Sequence, residues 1–223
     1  MNPTPRLRLV TDAASEPLSL SDAKAFCRVD ISDDDTLVTS LIKSARRRVE
    51  KDTGLAILTQ TFVAVLDRWP DQQPGGLSGP WWDGVREGPI SLVSGFTNVI
   101  EIPKRPFQAV TGIQLRDAYG GFTTVDPSVY FVEVSDMRGK IIRKLGQIWP
   151  VIVMAPSSGI EITFTAGFDA APNTGVPDDL LHAIRILVKH WYDNREMVMD
   201  GKTSPVPHAY ADLVESWRGM RLR

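Results

Sequence analysis

A chain of 223 residues with 43% hydrophobic content is long enough to bury one sizeable core or two small ones, and its composition is that of a soluble globular protein. The formal charge of -2 gives no global attraction to nucleic acid or anionic membranes, so only local patches could bind either. The single cysteine, Cys27, excludes an internal disulfide and a multi-cysteine metal site, and fits a reducing or redox-indifferent compartment.

The opening "MNPTPRLRLVTDAASEP" reads as a polar, proline-bearing leader without an apolar h-region. No later stretch approaches ~18 uninterrupted apolar residues, so neither signal-peptide secretion nor a membrane span is expected. In "LSLSDAKAFCRVD", Ser19 is placed to cap a short helix from Leu20 to Arg28, with Asp22 three residues on. Ser32 and Asp35 repeat the device before a second helix. There Leu37, Val38, Leu41, Ile42, Ala45 and Val49 fall at helical spacing, and Gly54 provides the stop. Arg46, Arg47 and Arg48, with Lys43 and Lys51 nearby, make this helix basic. An Arg46–Glu50 pair at i, i+4 reads as a solvated, ion-paired face; the sharper alternative is a surface facing DNA phosphates.

From Gln60 the period changes toward two, and "TFVAVLDRW", "NVIEIP", "VTGIQLRD", "YFVEV", "KIIRK" and "GIEITFTAG" read as strands. "RDAYGGF" reads as a hairpin turn in which Gly120 and Gly121 can take positive φ. The loop at 71–89 carries Trp81 and Trp82, a pair expected at a contact with another subunit or a partner because exposed tryptophans are covered in assemblies. Helical periodicity returns from Asp178 to Met197. Leu180, Leu181, Ile184, Leu187, Val188, Trp191 and Tyr192 fill one arc, opposite His182, Arg185, Lys189 and Asp193. Tyr210, Leu213, Val214 and Trp217 form a last narrow stripe. With Arg218, Arg221 and Arg223 it is expected to lie in a partner's groove.

The concentrated polar chemistry near the end of the third helix does not assemble into a site. "DGKTS" lacks the Gly five positions before its Gly-Lys, so Gly201 is read as a helix stop and not as a phosphate loop. His182 and His190 are eight residues apart, too far along one helix to share a metal; His190 with Asp193 reads as a surface hydrogen bond. "DISDDD" has Asp35 where a calcium loop needs Gly, and Leu41 where it needs Glu. No catalytic, cofactor-binding or metal residues are expected. The layout is α+β: a helical bundle built from the N- and C-terminal helices, with an inserted antiparallel β-rich region. The expected divisions are core helices at 16–57, the insertion at 58–168, a core helix at 176–200 and a partner-contacting extension at 201–223.

The order of these features resembles the phage head-tail connector (adaptor) family. Arg28-Val29-Asp30, the acidic helix start, the helix ending at Thr53-Gly54, and Thr59-Gln60-Thr61 are similar to its opening; Thr165-Ala166-Gly167 and "HWYDNRE" are similar to its close. The inserted β region and "PWWDGVREGP" are similar to longer members in tailed phages, prophages and gene transfer agents. The resemblance implies a non-enzymatic ring, commonly a dodecamer. It would be made in the bacterial host cytoplasm and held in the particle neck, between the portal protein and a tail-side stopper or tail terminator, with double-stranded DNA passing through. It implies no cofactor and no membrane. The alternatives are another ring-forming neck component, such as a stopper or tail-completion protein, and a carboxylate-based hydrolase.

Overall fold

In the computed structural model, described at residues 5–70, 81–82, 85–86, 99–150, 152–168, 175–194, 198–199, 202–203 and 207–218, helices and antiparallel sheets alternate along the chain. In order they are β1 (Arg6–Thr11), α1 (Leu20–Cys27), α2 (Asp35–Thr53), β2 (Gln60–Leu66), β3 (Trp81–Trp82) and β4 (Val85–Arg86). Then follow β5 (Val99–Ile102), β6 (Phe107–Arg116), β7 (Phe122–Thr124), β8 (Tyr130–Ser135), β9 (Arg138–Arg143) and β10 (Ile160–Ala166). The described chain closes with α3 (Asp178–Asp193), β11 (Val198–Met199), β12 (Lys202–Thr203) and α4 (His208–Glu215). This is an α+β fold. No helix among the described residues is long and apolar enough to cross a membrane.

The chain divides into two compact units: residues 12–60 with 167–223, and residues 1–11 with 61–166. The first is helical. Ser19 Oγ accepts the Asp22 N–H at 3.1 Å to start α1, as a serine N-cap should. The second start differs from the expected Ser32 cap: Asp34 occupies the N-cap position without a side-chain cap bond. Its carboxylate instead accepts the Tyr192 hydroxyl at 2.6 Å, so the capping group is committed to α3. Gly54 ends α2 at φ +75°, donating its N–H to Glu50 at 3.0 Å. Val38, Ile42, Ala45 and Val49 of α2 pack in one buried cluster with Leu180, Ile184, Leu187 and Val188 of α3, joined by Tyr210 and Val214 of α4. The arc read from the α3 sequence is thus the packed face; Trp191 and Tyr192 lie half-buried at its margin.

The long segment 61–166 leaves and re-enters this helical unit at adjacent positions. Leu58 bridges Phe168, and Thr59 Oγ1 donates to the Phe168 carbonyl at 3.1 Å. A helical fold tolerates an insertion when the chain ends it joins are close together. Gly167 sits at this crossing with φ +138°, where a Cβ would overlap the Leu58 carbonyl and the Thr59 nitrogen.

The second unit contains a five-stranded sheet in the order β1-β2-β10-β6-β7 and a three-stranded sheet in the order β5-β9-β8. Period-two alternation puts Ile160, Ile162, Phe164 and Ala166 of β10 on one buried face, paired with Leu115, Ile113 and Phe107 across β6. Phe164 stacks on Phe62 at 5.7 Å and on Phe107 at 6.1 Å; Trp69 stacks on Trp149 at 4.2 Å. The β6–β7 turn is closed by Asp117, whose Oδ1 accepts the Tyr119 and Gly121 N–H groups at 2.8 Å. Only Gly120 takes positive φ there, at +91°, not Gly121 as well. The leader contains β1, which pairs with β2, and the expected helix to Met197 stops at Asp193. Val198 and Met199 then pair with Thr203 and Lys202, so the residues around Gly201 belong to a short ladder and not to a helix end. Gly201 itself lies outside the described residues.

Candidate interaction surfaces and the Arg46 cluster

The ~100° turn per helical residue carries the three consecutive arginines of α2 into different surroundings. Arg46 is 1% exposed and faces three carboxylates. Its Nε donates to Glu16 Oε2 at 2.7 Å, Nη1 to Glu50 Oε2 at 3.1 Å and Nη2 to Asp12 Oδ1 at 3.1 Å. Burial alone would lower the Arg46 pKa, but the Glu16 hydrogen bond and the charges of Glu50, Glu16 and Asp12 outweigh it and raise the value. The remaining oxygen of Glu50 accepts the Ile57 N–H at 3.0 Å and Gln60 Nε2 at 2.7 Å. One guanidinium therefore ties the segment before α1 to α2, and Glu50 ties α2 to the segment leaving it. The expected solvated pair is a buried junction, and Arg46 has no group to offer DNA.

Arg47 and Arg48 point outward, with side chains 59% and 48% exposed. Each is held by a carboxylate: Arg47 Nη2 by Asp12 Oδ2 at 2.9 Å, Arg48 Nε by Asp52 Oδ2 at 2.8 Å. Burial pushes the Asp12 pKa up, but hydrogen bonds from Arg47 and the Ala13 N–H, with Arg46 adding charge and a bond, bring it down to about 2. Lys43 and Lys51 are exposed on the same helix.

The α4 stripe is less free than its sequence reads. Tyr210 is 3% exposed, and its hydroxyl donates to Asp52 Oδ2 at 2.8 Å. Burial first, and then the Asp52 bond and charge, raise its pKa. Leu213 and Trp217 are half-buried against the helical core, with Trp217 edge-on to Phe168 at 6.3 Å. Phe168 and the α2–α3 pair widen the narrow stripe into a packed face, so Tyr210 is a core residue of its own chain. Tyr210→Phe is expected to lower unfolding free energy by about 1 kcal/mol, read from the urea midpoint, because it removes one hydrogen bond while keeping the ring. Arg218 is exposed and pairs with Glu215 at 2.9 Å. Arg221 and Arg223 lie outside the described residues, as do the side chains of Trp81 and Trp82, whose backbones pair with Arg86 and Val85.

The polar residues of α3 are engaged singly. Asp193 pairs with Lys189 at 2.8 Å and not with His190, whose Nδ1 lies 3.3 Å from Asn194 Nδ2. His182 meets the Phe26 ring edge-on at 6.1 Å. Among the described residues, no group of three or more His, Cys, Asp or Glu is placed to hold a metal ion.

Residues 17–116 match the family model described as phage gp6-like head-tail connector protein. No curated protein matches the chain. A chain from the neck of an empty gene transfer agent (GTA) particle, computed with C6 symmetry, aligns with a TM-score of 0.71 at 25% identity, covering 98% of this chain and 97% of that one. A chain from the virion of a native GTA particle aligns with a TM-score of 0.69 at 25% identity, over 97% of each chain. A third, from the neck of a native GTA particle computed with C12 symmetry, gives 0.67 at 24% identity over 98% and 97%. The family match spans α1, α2 and β2 to β6, taking in Arg46 and Glu50 but not β1, Asp12 or Glu16, and the fold likeness covers 98% of the chain. The amino-terminal helices and first part of the inserted region are thus similar to the phage gp6-like head-tail connector family, and the chain as a whole has the fold of gene transfer agent neck chains.

Proposed function

We propose that this chain is the ring-forming adaptor of a phage or phage-like particle. About twelve copies would seat on the portal and receive a stopper or tail terminator on the other side, around a channel for double-stranded DNA. It would be made in the bacterial host cytoplasm and end in the neck. The observation that carries the reading is the whole-length likeness to neck chains, in which the helical and the β units are both matched. A structural connector acts through its surfaces and needs no catalytic group. The family match over the amino-terminal helices favours an adaptor over a stopper or tail-completion protein. The carboxylates gathered at Arg46 suit a hydrolase poorly, because an acid-base group should titrate near working pH while Asp12 is held at about 2.

Arg47 and Arg48 are the α2 side chains that could face DNA. Their tethering to Asp12 and Asp52 weakens their attraction for phosphate, which suits a channel that must let DNA slide. On α4 and the residues after it, Leu213, Trp217 and Arg218, with Arg221 and Arg223 further along the sequence, are candidates for contact with the portal or a neighbouring copy. Trp81 and Trp82 are the candidates on the inserted region. Deleting the gene is expected to leave heads and tails unjoined in electron micrographs of lysates, with complementation restoring whole particles. Normal tailed particles without this chain would sink the proposal.

A further inference from the structure

We infer that the chain carries its own strand-pairing interface, β1 of one copy adding antiparallel to β8 of the next; this rests on the ring reading above. Both strands have six residues, and each lies at the edge of its sheet. An edge strand presents unpaired N–H and C=O groups, and natural proteins guard such edges with Lys, Pro, bulges or a cover. β8, "YFVEVS", contains neither Lys nor Pro. Its Phe131, Val132 and Val134 are 45%, 38% and 54% exposed, so apolar side chains project from both of its faces. On β1, Leu7 and Leu9 are 41% and 46% exposed. They sit opposite Ala64 and Phe62 of β2, on the face that carries the Phe62–Phe164 stack, so the buried apolar row runs off the edge of the sheet.

A closed ring requires a contact in which two different patches of every copy meet, and two different edges per copy provide that. Charge and pattern select the register. Arg8 is 63% exposed and reaches Glu161 only at 3.5 Å, while Glu133 makes no ion pair among the described residues. Placing Arg8 opposite Glu133 in an antiparallel pair sets Leu9 opposite Val132 and Leu7 opposite Val134. Opposite charges then share one face and apolar pairs the other, each arrangement favourable across a strand pair. A slip by one residue would oppose Leu to Glu133 and Arg8 to valine.

The test is a full-length Leu9→Cys/Val132→Cys variant, assembled with the portal and mildly oxidised. A ladder of covalent multimers on a non-reducing gel is expected, absent from either single variant and collapsed by reductant. In parallel, Arg8→Glu and Glu133→Arg are each expected to reduce the fraction of portals bearing a complete ring at least fivefold, and the double reversal to restore it. Complete rings without a ladder would overturn the strand pairing while leaving the adaptor reading intact. Failure of the unaltered chain to form any ring on the portal would overturn both.

Discussion

Arg46→Met is expected to lower the unfolding free energy of the helical unit by about 3 kcal/mol, measured by urea or thermal denaturation. Methionine keeps most of the length and apolar volume but leaves Glu16, Glu50 and Asp12 facing one another without the cation. The value falls at the low end for a broken buried pair because the carboxylates are themselves 23%, 12% and 27% exposed and regain some hydration. The acid limb should change with it. In the folded chain Asp12 titrates at about 2 against an ordinary 3.8, so its contribution is complete above the ordinary value and is lost as pH falls through about 2. In Arg46→Met the Asp12 titration should move back toward 3.8, and loss of structure on acidification should begin at higher pH. An Arg46→Lys variant should recover little, since a lysine ammonium cannot span the three carboxylates with a planar fork of donors.

Gly167→Ala is the other large effect expected, about 3 kcal/mol, from two sources acting together. An L-residue at φ +138° is strained, and a Cβ there would overlap the Leu58 carbonyl and the Thr59 nitrogen, which are backbone atoms that cannot rotate aside. The overlap falls on the bridge between Leu58 and Phe168 that closes the helical unit where the insertion departs. Gly54→Ala supplies the comparison. Its φ of +75° is also left-handed, but a Cβ would meet nothing within 4 Å, so only backbone strain of about 1 kcal/mol is expected. If the two variants shifted the denaturation midpoint equally, the steric account of Gly167 would be wrong.

What could be read from the sequence follows from how locally each feature is encoded. The apolar spacing of Val38, Ile42, Ala45 and Val49 fixes a helix face by itself, and the alternation in "GIEITFTAG" fixes a strand. The α+β order of elements was therefore legible before any coordinates. The α2 start was misread because Asp34 binds Tyr192, a partner 158 residues away. The alternation Arg6-Leu7-Arg8-Leu9 was a readable strand signal, obscured by the flanking prolines. The α3 helix ends at Asp193 although residues beyond it keep helical character, because Val198 and Met199 find a short ladder instead. Arg46 shows the limit most clearly. "ARRRVE" looks like a solvated charge run, and only tertiary structure brings Asp12 and Glu16 to one of its three arginines. The familiar end signatures gain physical meaning in the same way: Gly167 is where a side chain has no room, and Tyr192 is the tie to α2.

The ring seated on a portal remains our proposal for these two units. Electron microscopy of the purified chain mixed with its portal tests it most directly. Added density stacked coaxially on the portal is expected, with cyclic symmetry, an open axial channel and no such ring on portals alone. Portals that remain bare at saturating concentrations of the folded chain would contradict it.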